Sequence, residues 1–236
     1  MKGLEKIMGL ETLVKNTNES NETLKGMNAR VRTTSLNDFD ELYQLQSMYK
    51  DLDYSKQALK DILSDKKGIN LAIEDKNTGK IMSYIICYPA SHYKQNQKNM
   101  NYTTAYECPQ LKDNKAFYLE LVETHPEYQG KGMYKISKKI AETAAYNKGY
   151  DRMYLHSVPE AVAAHQKSGN EPVECLPSYW VNPNGSTLDA YLMKSELNAS
   201  KIMDNINSLL GKQDNEVSLS YKPADAANKI ERVMAK

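Results

Sequence analysis

The order of apolar and polar positions divides the chain into short segments of recognisable period. RVRTT (30–34) alternates as a strand. Ser35 is suited to cap the helix SLNDFDELYQLQSMYKD, where Leu42, Leu45 and Met48 share one face. SKQALKDILSDKK reads as a second short helix, and INLAIED and KIMSYIICY as strands joined by the turn-rich DKNTGK. Residues 91–114 are polar and irregular. AFYLELVET is a strand and leads into a loop with two glycines. The helix MYKISKKIAETAAYNKG follows, with Met133, Ile136, Ile140 and Ala144 as its apolar stripe and Gly149 at its C-terminal cap. DRMYLHSV reads as a strand and PEAVAAHQKSG as a short helix that opens on Pro159. PVECLPSYWV and STLDAYLMK pair around an NPNG turn.

This order of elements predicts an α/β (α+β) domain over residues 30–195, built on a mixed sheet with helices on both faces. Residues 1–29 form an N-terminal extension, a short helix (Leu4, Ile7, Met8, Leu10) and a polar linker. Residues 196–236 form a helical C-terminal extension, first with Ile202, Met203, Ile206, Leu209 and Leu210 on one stripe, then with a last helix from Ala224. Such stripes seek cover from the chain's own core, from a second copy in a two-fold homodimer, or from another protein.

Composition narrows the function classes. A net charge of +1 offers no field for nucleic acid. No run approaches the roughly 18 apolar residues of a membrane span, and the first 25 residues lack the apolar core of a secretory signal. Cys87, Cys108 and Cys175 are odd in number and widely spaced, which argues against a disulfide framework or a metal site. The expectation is a cytoplasmic protein with reduced thiols and no metal.

The loop THPEYQGKGMYK (124–135) carries the chemistry. It joins a strand to a helix, and the first turn of a helix has N–H groups without intrahelical partners and partial positive charge. Gly130 and Gly132 let an anion approach that backbone, and Lys131 adds a cation, with Lys135, Lys138 and Lys139 on the next turns. The loop is thus a phosphate or pyrophosphate cradle, and it matches neither GxxxxGK[ST] nor GxGxxG.

From Ala116 to Gly169 the chain resembles the GNAT superfamily of N-acetyltransferases. The resemblance rests on HPEYQGKG, on Gln129-Gly130-Lys131-Gly132-Met133-Tyr134 entering a helix, and on AHQKSGN with His165, Lys167 and Gly169 in register. It implies a mostly antiparallel central sheet and acetyl-CoA as co-substrate. It further implies that Gln129, Gly130, Lys131, Gly132, Met133 and Tyr134 hold the pyrophosphate, and that Val122, Glu123 and Thr124 pair with the pantetheine arm through backbone groups. The chain departs from the family pattern at Tyr134, where Gly or Ala is usual, at His165, where many members have a tyrosine, and at Asn170, where an aromatic is usual.

Acetyl transfer to an amine needs a base, donors for the tetrahedral oxyanion and an acid for the leaving thiolate. Family members often carry Glu or His at the position of Glu120, the expected base. Alternation places Tyr118, Glu120, Val122 and Thr124 on one face and turns Glu123 to the other, as a structural or backbone contact. His165, partly protonated near neutrality, is the expected acid. His125 is expected to shape the loop. The expected acceptor is an amine on a small molecule or a protein, bound between residues 36–65, 91–115 and 171–190. The alternative from another class is a catalytically degenerate scaffold that uses its terminal helices for assembly.

Overall fold

The computed structural model describes residues 28–49 and 54–210. The N-terminal helix and the final helix from Ala224 lie outside the described residues. Eight strands form one sheet among the described residues: β1 (Ala29–Thr33), β2 (Ile69–Asp75), β3 (Ile81–Pro89), β4 (Thr103–Thr104), β5 (Ala116–Thr124), β6 (Arg152–Ser157), β7 (Glu171–Val181) and β8 (Thr187–Glu196). Their spatial order is β1-β2-β3-β5-β6-β8-β7-β4. Neighbours are antiparallel except β5 and β6, which run parallel. A parallel pair needs a crossover, and α4 (Met133–Asn147) supplies it.

Helices cover both faces, as expected. On one face, α1 (Phe39–Gln46), α2 (Lys56–Leu63) and the single-turn α3 (Tyr93–Asn96) bury Phe39, Leu42, Leu59, Ile62 and Tyr93 against Tyr84, Ile86, Tyr88 and Tyr118. On the other, Met133, Ile136, Ile140 and Ala144 of α4 pack on Leu71, Ile73, Ile85, Phe117 and Leu119. The stripe of α4 therefore matches its sequence period. Ser35 caps a 3-10 turn (Leu36–Asp38) that leads into α1 and forms a capping box with Asp38. Met48, placed on the apolar face by period, instead lies beyond the end of α1 and is exposed. The polar stretch 91–114 is more ordered than its composition suggests, holding α3 and β4.

Beyond the sheet, α5 (Val162–Lys167) follows β6, and α6 (Ala199–Leu210) follows β8. Helix α6 lies on α4, with Ile202 and Leu209 buried, so this part of the C-terminal extension covers the chain's own core. Among the described residues, no helix is long and apolar enough to cross a membrane.

A buried ionic cluster joins α4, β8 and α6. The Lys138 ammonium, 1% exposed, donates to Glu142 one turn on and to the carbonyl of Ser168 (2.9 Å). Glu142 also accepts from Ser195 Oγ (2.6 Å) and Asn205 Nδ2 (2.9 Å), and Lys201 lies 3.1 Å away. Burial alone would raise the Glu142 carboxyl, but the two lysines and these donors hold it below its usual range. Lys138 is pushed down by burial, which Glu142 only partly offsets. Removing one member strands the other charge in the core. Glu142→Ala should therefore cost about 3–5 kcal/mol in urea denaturation, and adding Lys138→Met should recover much of that loss.

Candidate active site

Where the sheet is parallel, it opens. Strands β5 and β6 pair from Ala116↔Arg152 to Leu119↔Leu155, and there the ladder stops, although β5 runs on to Thr124 and β6 to Ser157. At the same point β5 carries a bulge against β3. Cys87 pairs with Leu119 and Ile86 with Leu121, so Glu120 is an extra residue without an opposite number. A cavity of about 630 Å³ occupies the gap, lined by β5 from Tyr118 to Thr124, β6 from Leu155, the glycine loop and α5.

The bulge corrects the expected strand faces. Phe117, Leu119 and Val122 belong to the core under α4, whereas Tyr118 and Leu121 belong to the core under α1 and α2. Val122 thus does not share a face with Glu120. Glu123 does, because one inserted residue shifts the alternation by one position. Its Oε2 accepts from Tyr84 Oη (2.7 Å) in that same core. Thr124 turns its hydroxyl to Ser83 Oγ (2.9 Å), and its carbonyl accepts from Tyr49 Oη.

Glu120 is held by three donors. Oε1 accepts from Tyr54 Oη (2.6 Å) and Gln97 Nε2 (3.2 Å), and Oε2 accepts from Tyr88 Oη and Gln97 Nε2 (3.0 Å). Burial raises the Glu120 carboxyl above its ordinary value, and the three donors pull the other way. Burial also lifts Glu123, to about 7, against a single donor. Tyr54, Tyr84 and Tyr88 are themselves raised well above the phenol value by burial, so they stay protonated and donate.

At the other end, Pro126–Tyr128 form a 3-10 turn in which His125 Nδ1 accepts from the Glu127 amide (3.3 Å), the loop-shaping role expected of it. Gly130 (φ 75°) and Gly132 (φ 74°) both take left-handed backbone, which explains two glycines around one lysine. Gly132 is the N-cap of α4 and brings no side chain to occupy the first-turn N–H groups. Gln129 Nε2 donates to Tyr49 Oη (2.9 Å), tying the loop to the end of α1.

The lysines behave differently from expectation. Lys135 and Lys167 line the cavity. Lys131 sits over the Tyr128 ring (4.9 Å) and does not line it. Lys138 is sealed in the ionic cluster and Lys139 donates to Ser208, so neither extends the cradle. Met133 is buried in the core, which leaves its backbone alone for a ligand.

Tyr134, His165 and Asn170, the three departures from the family pattern, meet at His165. Tyr134 Oη lies 2.6 Å from His165 Nδ1, and Asn170 Nδ2 donates to the His165 carbonyl (2.9 Å). Burial, with help from Lys138, lowers the His165 imidazole to about 4. The expected imidazolium acid is therefore corrected: burial keeps this ring neutral near pH 7, and its Nδ1 shares one hydrogen with the Tyr134 phenol. A second histidine also faces the cavity. His156 lies 2.8 Å from Tyr118 Oη and 3.5 Å from Cys108 Sγ, stacks on Tyr179 (4.6 Å), and is lowered by burial to about 3.

The model of the Acetyltransferase (GNAT) family matches residues 36–169, more than half of the chain. The chain belongs to this family. No curated protein matches the sequence. Solved GNAT structures share its fold. The ribosomal-protein-S18-alanine N-acetyltransferase from Escherichia coli is 13% identical with a TM-score of 0.55, over 72% of this chain and 94% of that one. Arabidopsis thaliana NAA60 in complex with acetyl-CoA is 15% identical with a TM-score of 0.54, over 72% and 99%. A chimera of spermidine N-acetyltransferase SpeG from Vibrio cholerae and hSSAT is 15% identical with a TM-score of 0.54, over 75% and 99%. Among the described residues of this GNAT chain, no group of three His, Cys, Asp or Glu side chains is placed to hold a metal ion.

Between their folded values and the ordinary 6.5, His156 and His165 bind fewer protons folded than unfolded. These two imidazoles make stability fall as pH is lowered from about 6.5 toward 4, while Glu123, raised to about 7, pulls the other way. Between pH 6.5 and 4.5 His165→Gln should lose less melting temperature than the wild type, the difference being the share of that imidazole.

Proposed function

We propose that the chain is an N-acetyltransferase that takes acetyl-CoA as donor and transfers the acetyl group directly to an amine of a small molecule or a protein. One observation carries the reading: the uncapped N-terminus of α4 and the splayed edge of β5 open onto the same cavity. A pyrophosphate fits the first and an extended pantetheine arm the second. NAA60, with the same fold, is solved with acetyl-CoA.

On this reading the N–H groups from Gly132 to Tyr134 receive the pyrophosphate, with Gln129 and Gly130 shaping the approach and Lys135 and Lys167 adding positive charge. Lys131 contributes at longer range. The backbone of Val122, Glu123 and Thr124 aligns the arm, and a strand N–H left free by the splay donates to the developing oxyanion. His165 offers Nε2–H to the departing thiolate as a neutral donor. Glu120, an anion fixed by Tyr54, Tyr88 and Gln97, supplies the negative charge beside the acceptor amine.

Acetyl-CoA should raise the melting temperature, and more than acetate or adenine alone does. Gly132→Glu should abolish that shift by setting bulk and negative charge in the cradle. An unchanged melting temperature for the wild type at millimolar acetyl-CoA would count against the donor.

Turnover can be followed as free thiol released from acetyl-CoA with spermidine, tyramine or a short alanine-initiated peptide. Glu120→Gln should lower it at subsaturating amine, mainly by raising KM, while the acetyl-CoA shift survives. A scaffold without catalysis would release no thiol with any of the three.

A further inference from the structure

Two carboxylates share the side of β5 that faces α1 and α2, and their surroundings differ. Every oxygen of Glu120 already accepts hydrogen bonds, from Tyr54, Tyr88 and Gln97, so taking up a proton means losing one of them. Glu123 is 8% exposed and lines the cavity, yet only its Oε2 accepts a hydrogen bond within the described residues, from Tyr84. A carboxylate with one bare oxygen in an apolar wall lowers its own burial cost by binding a proton. Two acids held in such unequal surroundings divide the labour of proton transfer.

We propose that Glu123 is the proton acceptor of the reaction, with Glu120 the fixed anion that holds the acceptor's ammonium. The assignment rests on the acetyl-transfer reading. The acceptor enters as R–NH₃⁺ and gives one proton to Glu123 Oε1, which becomes a carboxylic acid. The freed electron pair on nitrogen forms the C–N bond to the thioester carbonyl carbon. The C–S bond breaks with its electron pair on sulfur, and a second proton from nitrogen ends on sulfur as the thiol. Glu123 returns its proton to water. The products are the amide, the thiol and one proton.

The groups that interact electrostatically with Glu123 are Tyr84 of β3 and Tyr49 beyond α1, both raised by burial and both neutral across the working range. Glu120, on the same strand, keeps its three donors. Burial places the Glu123 carboxyl at about 7, so its acceptor form grows in as pH rises through neutrality.

The test is the pH profile of thiol release from acetyl-CoA with spermidine, tyramine and the alanine-initiated peptide, joined to a ¹³C NMR titration of glutamate carboxyls in the free protein. In the wild type, kcat/KM should rise about tenfold per pH unit below pH 7 and then level. Glu123→Gln should lose roughly 10²-fold at pH 8 and the limb itself, with the acetyl-CoA melting shift kept. Glu120→Gln should keep the limb and lose activity mainly through KM. The NMR titration should show one carboxyl near pH 7 that is missing in Glu123→Gln. A limb that survives Glu123→Gln, or a titration without that carboxyl, overturns the assignment even where turnover is intact. Failure of the acetyl-transfer reading has a different signature: no melting shift and no thiol from the wild type with any of the three amines.

Discussion

One extra residue in β5 governs the centre of this molecule. Because Glu120 has no opposite number on β3, the side chains after it change faces, and the parallel ladder to β6 ends within one residue of the same point. A regular strand would have kept its hydrogen bonds and closed the gap. The bulge instead bends the strand, frees backbone groups along Glu120–Thr124, and brings two acids under Tyr49 and Tyr54, between α1 and α2, and Tyr84 and Tyr88 of β3. The cavity and the placing of its two acids therefore share one geometric cause.

The elements with long, clean periods were legible in the sequence, among them α4, the strands AFYLELVET and DRMYLHSV, and the hairpin around NPNG. So was the glycine loop, since two left-handed residues before a helix admit few substitutes. The bulge was not legible. No glycine or proline marks it, and a period of two carried through nine residues necessarily puts Glu123 on the wrong face. The donors around Glu120 were equally hidden, because Tyr54, Tyr88 and Gln97 lie 66, 32 and 23 residues away in the chain and meet only through the fold. Lys138 and Glu142 show the limit of local charge patterns. In the sequence Lys138 reads as one of the lysines beside the cradle, and only the arrival of α6 and β8 makes it and Glu142 core.

Departures from a family pattern carry more meaning together than singly. Tyr134, His165 and Asn170 each look like an erosion of the site when taken alone. In space they are one set: the phenol fills the room a glycine would have left, the imidazole meets it, and the amide holds the carbonyl of that histidine. Each substitution supplies the partner that another one needs, the mark of a pocket rebuilt around a different side-chain set.

The ionic cluster also imposes an order on synthesis. Glu142 and Lys138 emerge from the ribosome about sixty residues before Lys201 and Asn205, and β8, which alone bonds β6 to β7, comes late as well. Until then a nascent chain has its glycine loop and α4 but lacks the amide and the second ammonium that complete the buried acid's surroundings. The carbonyl of Ser168, at the end of the cavity, is gripped by a lysine whose counter-ion gains its last partners only from the final described helix. The cluster is therefore complete only once α6 has been made, and a chain cut before it would carry the motif without this part of its interior.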